Sequence, residues 1–330
     1  MFNIDEWQSA LTPFLKAIDA DQAEVIASAK AIGATRFANN AISQNQDEDT
    51  LSLRLRVIKD GRQGVASGNS LEPDALKAMA ARALNAAALD QANPDLLPMI
   101  SEQPKYQSVN SFDADTAEAS ATQRADIVGA QIAKVKAAGF EAAGLLKSGA
   151  TACAMFNSNG VQAAYQRSLA SITMSAFADE GQTEALQDGS SMTLAGLDAE
   201  RVGNDVVERC RRARGAKPIA AGAYDVVLEE AALSDLMLFL SWLGFNSLAH
   251  SEGRSGLAGK LGEQVFHKDF SLWSDPYHEA QQGCPFDMEG FPTQGLHLVD
   301  QGVVKQLPHD RRTASKMGEA NTGHGNQQPD

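Results

Sequence analysis

The chain has 330 residues, 43% of them hydrophobic and 6% aromatic, with 28 Lys and Arg against 42 Asp and Glu, a formal net charge of −14. That length exceeds one average domain, the apolar fraction excludes wholesale disorder, and so acidic a chain argues against direct nucleic-acid binding, which rests on clustered Lys and Arg. The N-terminus, MFNIDEWQSALTPFLK, lacks the basic stretch and apolar run of a secretory signal, and no window approaches the roughly 18 apolar residues of a membrane span. Cys153, Cys210 and Cys284 are far apart and form no CxxC pair, so the expectation is a reduced, cytoplasmic chain without a disulfide framework.

In chain order, residues 3–19 show helical spacing at Ile4, Trp7, Leu11, Phe14, Leu15 and Ile18. Short strands are expected from Val25–Ile26 and over Phe37 to Ile42. LSLRLRVIKDGRQGVASG alternates at Leu51, Leu53, Leu55 and Val57 and then turns through KDGRQG into a returning strand, a hairpin. SLEPDALKAMAARALNAAALDQA predicts a helix capped by Ser70. The proline-containing stretch 92–114 marks a boundary. A helix over Thr116 to Ala138 follows, then three or four strands through SITMSAFA with a hairpin turn at NSNG. After a loop rich in Gly, Ser and Asp comes the helix LDAERVGNDVVERCRRARG. A second domain opens near residue 217 with a strand in AYDVVLEE, continues with the apolar helix AALSDLMLFLSWLGFNSLAH, and closes with strands either side of a turn at Asp300 to Gly302 and a helical piece in RRTASKMGEA. The expected class is α+β: an N-terminal α/β region over 1–216, with antiparallel strands and long helices in subdomains of about 1–92 and 110–216, then a mostly antiparallel-sheet domain over 217–330.

No motif declares a catalytic centre. A zincin helix needs two imidazoles one turn apart with a glutamate between them. Among His250, His267, His278, His297, His309 and His324 no pair has that spacing. His278 and Glu279 begin such a motif, but Gln282 and Gly283 stand where the second imidazole would fall, and a solvated loop histidine is the simpler reading. No cysteine has a base coupled to it by a motif. GRSGLAGKLGE lacks the hydroxyl after Lys260 and the preceding strand of a phosphate loop. Asp287 and Glu289, in GCPFDMEGFPTQG, would share one face of a strand and could divide acid and base roles, yet Pro285, Gly290 and Pro292 favour a tight turn. RFANNAIS places Arg36, Asn39 and Asn40 on one early strand, where they either bind an extended peptide or satisfy a sheet edge.

RFANNAISQNQ, the strand and turn of LSLRLRVIKDGRQGVASG, FNSNG, GKLGE, PFDMEGFPTQGLHLVDQGVV and TASKMGEANTGHG, in this order from about residue 20 to residue 325, resemble the TldD/PmbA family. The resemblance implies one of two subunit types. TldD-like subunits carry HExxxH on a helix plus a downstream cysteine, bind zinc and cleave small or unfolded peptides. PmbA-like subunits, also called TldE, lack these ligands and assemble with the first type. Bacterial pairs are associated with maturation of a gyrase-targeting peptide antibiotic, hence the label modulator of DNA gyrase.

The zinc helix should lie just before GKLGE, where Met237 to Asn246 contains neither His nor Glu, only a packing helix. The resemblance therefore implies a non-catalytic PmbA-like subunit, with no catalytic residue and no metal ligand of its own, and with zinc only in a TldD-like partner. Its partners would be that peptidase, or another copy of itself, and a peptide held by Arg36, Asn39 and Asn40, with no nucleic acid and no membrane. Family members run on past the TGHG element, so an open sheet edge near residue 330 would favour oligomerisation. Two rivals are a stand-alone metallopeptidase using His278, Glu279 and His250 or His267, and a homodimeric scaffold.

Overall fold

A computed structural model describes residues 2–280 and 283–325. Its centre is a six-stranded antiparallel sheet made of two successive three-stranded units: β1 (Gln22–Ala38), β2 (Ala41–Lys59) and β3 (Arg62–Gly68), then β4 (Glu141–Asn157), β5 (Gln162–Ala178) and β6 (Thr183–Ser191). The spatial order is β3-β2-β1-β4-β5-β6, so the first strands of the two units pair at the middle, from Glu24 opposite Asn157 to Phe37 opposite Gly144. The N-terminal region is thus one sheet with two helical covers.

Alternation along each strand sorts side chains between faces. Val25, Ala27 and Ala29 of β1 pack with α1 (Ile4–Ala17) and α2 (Pro73–Leu89) through Trp7, Leu11, Leu76 and Met79. Phe37 points the same way, into a second cluster with α4 (Ala121–Ala137) and α5 (Ala199–Ala213), through Val128, Ile132, Val202 and Val206. The four long helices α1, α2, α4 and α5 therefore cover one face. On the opposite face the described residues cover one end, where Ile26, Met155 and Val161 meet Ile100 of the connector and Met288 and Phe291 of the C-terminal region.

Several local expectations change. The short strands around residues 25 and 40 are one 17-residue strand and the start of a 19-residue one. They join through a two-residue turn at Asn39 and Asn40, both at positive φ (52° and 59°), so these residues are not on a strand. The three or four strands after residue 140 are the two long strands β4 and β5. The supposed Gly/Ser/Asp loop contains β6, an edge strand with Thr183, Ala185 and Gln187 turned inward. The helix expected over Thr116 to Ala138 breaks into α3 (Ala114–Ala117) and α4, which starts at a Ser120–Gln123 capping box. Glu72, not Ser70, is the cap residue of α2, with Pro73 in the first helical turn.

The C-terminal region holds α6 (Glu230–Leu243), α7 (Ser247–Ser251), a three-stranded antiparallel sheet β7 (Leu272–Ser274), β8 (Leu296–Asp300) and β9 (Val303–Val304), and α8 (Arg311–Met317). With the first sheet this gives an α+β fold. The C-terminal core is small, centred on Phe245, Leu257, Leu298 and Val299. DVVLEE forms no strand: a strand needs a neighbour to bond, none of the described strands runs beside it, and Val227 is 94% exposed. The apolar helix α6 has no buried residue, so its Phe239 and Trp242 stand in solvent rather than packing as expected. No helix among the described residues is long and apolar enough to cross a membrane.

Candidate functional site

The uncovered sheet face is a trough of three adjoining cavities of about 480, 390 and 340 Å³. Arg36, Leu145 and Lys147 line both of the first two, and Lys30 lines both of the last two. The trough runs along β1 from Met288 of the C-terminal region to the β1–β2 turn. Its floor mixes Ile32, Leu145 and Leu169 with polar Gln44, Gln46, Ser171 and Thr173. Ion pairing accounts for Lys30, 2.7 Å from Glu48.

Of the three residues expected to hold peptide, only Arg36 lines this trough. The Asn40 side chain instead pins the turn to β4, donating to the Phe140 carbonyl (3.1 Å) and accepting from the Ala142 amide (2.8 Å). Asn39 is exposed at the turn. Backbone addition beside Arg36 has no opening, because β1 is bonded on both sides, to β2 and to β4. A ligand here would lie on side chains rather than extend an edge.

At the covered end, the Asp287–Glu289 segment is a turn. The Asp287 amide donates to the Phe291 carbonyl (2.9 Å), and Gly290 sits at φ 81°. The Asp287 carboxylate organises it, accepting from the amides of Glu289 and Phe291 through Oδ1 and of Gly325 through Oδ2. Glu289 accepts from the Arg311 amide at the start of α8 (3.0 Å), and the Tyr106 hydroxyl donates to the Gly290 carbonyl (2.7 Å). This turn thereby gathers the connector, α8 and the TGHG element. Beneath it the ion pair of Glu24 and Arg56, each 1% exposed, joins neighbouring strands. Histidine imidazoles cluster next to it. The Thr322 hydroxyl donates to the His309 carbonyl (3.0 Å), and Nδ1 of His324 sits 2.9 Å from the Thr322 carbonyl. Buried Nδ1 of His309 and Nε2 of His324 find no hydrogen-bond partner among the described residues.

Burial sets the protonation of this hub. It pushes Glu289 up to about 7, against the opposing Arg311 amide, and pushes Asp287 up against three backbone amides. It pulls His309 and His324 down. The signs are opposite. A carboxyl raised from 4.5 to about 7 contributes its stability below pH 4.5 and loses it as pH rises through about 7. Imidazoles depressed from 6.5 contribute theirs above pH 6.5 and lose it as pH falls through their folded values. Thermal stability should therefore decline on both sides of mildly acidic pH. Glu289→Gln should remove much of the alkaline decline, so its melting temperature relative to wild type rises from pH 5 to pH 8. Melting curves that stay parallel across that range would show that Glu289 is not the titrating group.

The donor set does not fit zinc. Within Met237 to Asn246 there is no imidazole and no Glu, and no three His, Cys, Asp or Glu among the described residues are placed to hold one ion. His278 lies in an exposed loop accepting from the Ala280 amide, and His267 lies beside Asp269. The structure does not gather His278, Glu279, His250 and His267 into one centre. Gln282 lies outside the described residues. Cys284 is pushed up to about 12 by burial, the reverse of an activated thiolate.

A single sheet with helices on one face, and a C-terminal region whose Asp287–Glu289 turn packs on one end of the other, define a class of protein that comparisons with known sequences identify. Residues 23–87, 66–214 and 221–330 match, in that order, PmbA/TldA metallopeptidase domain 1, central domain and C-terminal domain. The chain belongs to the PmbA/TldD family. An uncharacterized protein of Methanocaldococcus jannaschii is 24% identical over 276 residues, 82% of this chain and 63% of that protein, so the chain spans less than two thirds of this relative's length. A metalloprotease of Methanothermobacter thermautotrophicus is 29% identical over 134 residues, 37% of this chain and 27% of that one. Among solved structures, a modulator of DNA gyrase from Thermotoga maritima is similar with a TM-score of 0.85 at 22% identity, covering 97% of this chain and 74% of that one. TldE from Thermococcus kodakarensis gives 0.81 at 20% identity, covering 96% and 72%.

Proposed function

We propose that this chain is a non-catalytic, PmbA/TldE-like subunit that holds peptide for a TldD-like zinc peptidase in the cytoplasm. The observation that carries the reading is the pairing of a stretch, Met237 to Asn246, that has no His, Cys, Asp or Glu with an open trough. The fold shared with TldE supports it. So does α6, whose exposed Leu236, Phe239 and Trp242 suit contact with another subunit better than water. Arg36 is its peptide-contacting residue from β1; the chemistry of bond cleavage would come from the partner's zinc. The domain division we favour follows the fold, with the helix-covered sheet over 1–216 and the C-terminal region over 217–330.

The test is metal analysis with reconstitution. The purified chain should carry well below one zinc per molecule and cleave no peptide alone, yet raise peptide cleavage when mixed with a TldD-like subunit. Stoichiometric zinc, with peptidase activity lost on chelation, would establish the stand-alone metallopeptidase instead. A stable homodimer without effect on such a partner would establish the scaffold.

A further inference from the structure

The trough carries a charge opposite to that of the molecule. On a chain of net charge −14, the residues lining it include Lys30, Arg36 and Lys147 against one carboxylate, Glu48. Glu48 is spent on Lys30. Arg36 and Lys147 are both exposed and form no ion pair among the described residues. The strand register sets them together. Arg36 is opposite Leu145 and Ala34 is opposite Lys147, so the two cations are diagonal neighbours on one face, with Cα atoms roughly 7–8 Å apart. A single carboxylate can span that separation between two long flexible side chains. The next carboxylates on this face, Glu141, Glu184 and Asp188, lie toward the β6 edge, outside the lining of the three cavities. Beside the cations, Ile32, Leu145 and Leu169 offer apolar floor, and Gln46 and Ser171 offer hydrogen bonds.

We propose that this trough takes an extended peptide segment bearing a carboxylate, and that Arg36 and Lys147 form the subsite for that carboxylate. The reading of the ligand as a peptide rests on the function proposed above; the charge preference rests on the trough. A flat sheet face leaves its backbone inside the ladder, so selectivity must come from side chains, and here the uncompensated ones are cationic. Nucleic acid fits less well: two free cations within an otherwise acidic molecule neutralise too few phosphates.

The experiment uses the whole chain in EDTA with short fluorescent peptides of equal length, read by anisotropy. One series exchanges a central Glu for Gln, and a second exchanges a free C-terminus for an amide. The carboxylate-bearing peptide should bind about fivefold more tightly than its neutral counterpart at low ionic strength, with the advantage lost in high salt. If the advantage follows the central Glu, the subsite reads a side chain; if it follows the free C-terminus, it reads a terminal carboxylate. Either supports the proposal. Arg36→Gln with Lys147→Gln should abolish the difference between the two peptides, and Glu48→Gln should enlarge the difference by releasing Lys30. All three positions are solvent-exposed, and circular dichroism would verify folding. As a second readout, Arg36→Glu with Lys147→Glu should invert the preference toward a Lys-bearing peptide. Equal affinity for acidic and neutral peptides, a preference that survives the double substitution, or tighter binding of a single-stranded oligonucleotide would each overturn the assignment. Chelation keeps any cleavage out of the measurement, so failure of the subunit reading would leave this binding difference readable.

Discussion

Glu24→Ala should lower the melting temperature by roughly 10 °C, from a loss of about 3–5 kcal/mol, the usual cost of removing one partner of a buried ion pair. Glu24 and Arg56 are each 1% exposed, with Nε and Oε1 3.5 Å apart, at the point where β1 and β2 pass beneath the C-terminal region. Removing the carboxylate takes the foremost stabilising charge from a guanidinium that burial already disfavours. Glu289, the next carboxyl acting on Arg56, belongs to the turn that joins connector, α8 and TGHG element. The loss should therefore spread to that junction. Glu24→Leu combined with Arg56→Met should recover most of the stability, because a buried pair replaced by apolar side chains is often neutral. Thermal unfolding of the two single variants and the double checks this. Additive losses would mean that the pair is not a unit.

Gly64→Val should cost about 3 kcal/mol, again visible as a fall in melting temperature of several degrees. Gly64 lies on β3 under α2, and a Cβ there would stand 2.0 Å from the Ala83 carbonyl oxygen and 2.5 Å from the Ala87 amide nitrogen. Both obstacles are backbone, so no side chain can turn aside; the helix must move off the sheet. That movement would uncover Leu76, Met79 and Ala83, the residues through which α2 is buried. Gly61→Val, in the neighbouring Asp-Gly turn at φ 69°, would strain the backbone but meet only Ala92 Cβ at 4.0 Å. It should cost less than Gly64→Val. Equal losses at the two sites would argue that α2 packs less closely than described.

Features that depend on a few neighbouring residues were legible before the fold was known. The Asp60–Gly61 and NSNG turns, the amphipathic helices α1 and α5 and the closing strands around Asp300 to Gly302 all carry their cause within one short window. The Asn39–Asn40 turn carries a signal too, since Asn tolerates positive φ, but Asn-Asn is a weaker cue than Asn-Gly and the stretch reads as strand. β6 was obscured by its own Asp188 and Gly189. The hub was not legible at all. Asp287 meets Gly325 across 38 positions, and Tyr106 meets Gly290 across 184.

The amino-acid sequence by itself determined the α+β class, the motifs that resemble the PmbA/TldD family, and the absence of His and Glu between Met237 and Asn246. These follow from residue types at fixed spacing, which short-range chemistry dictates. Only the tertiary structure decided that Arg36 and Lys147 share an open face, that Asn40 is occupied by β4, and that Glu289 is buried enough to hold its proton near neutrality. The physical reason is the pairing of β1 with β4. Side chains more than a hundred positions apart converge only when that ladder closes, and solvent is excluded from the hub only when the C-terminal region lies down on one end of the sheet.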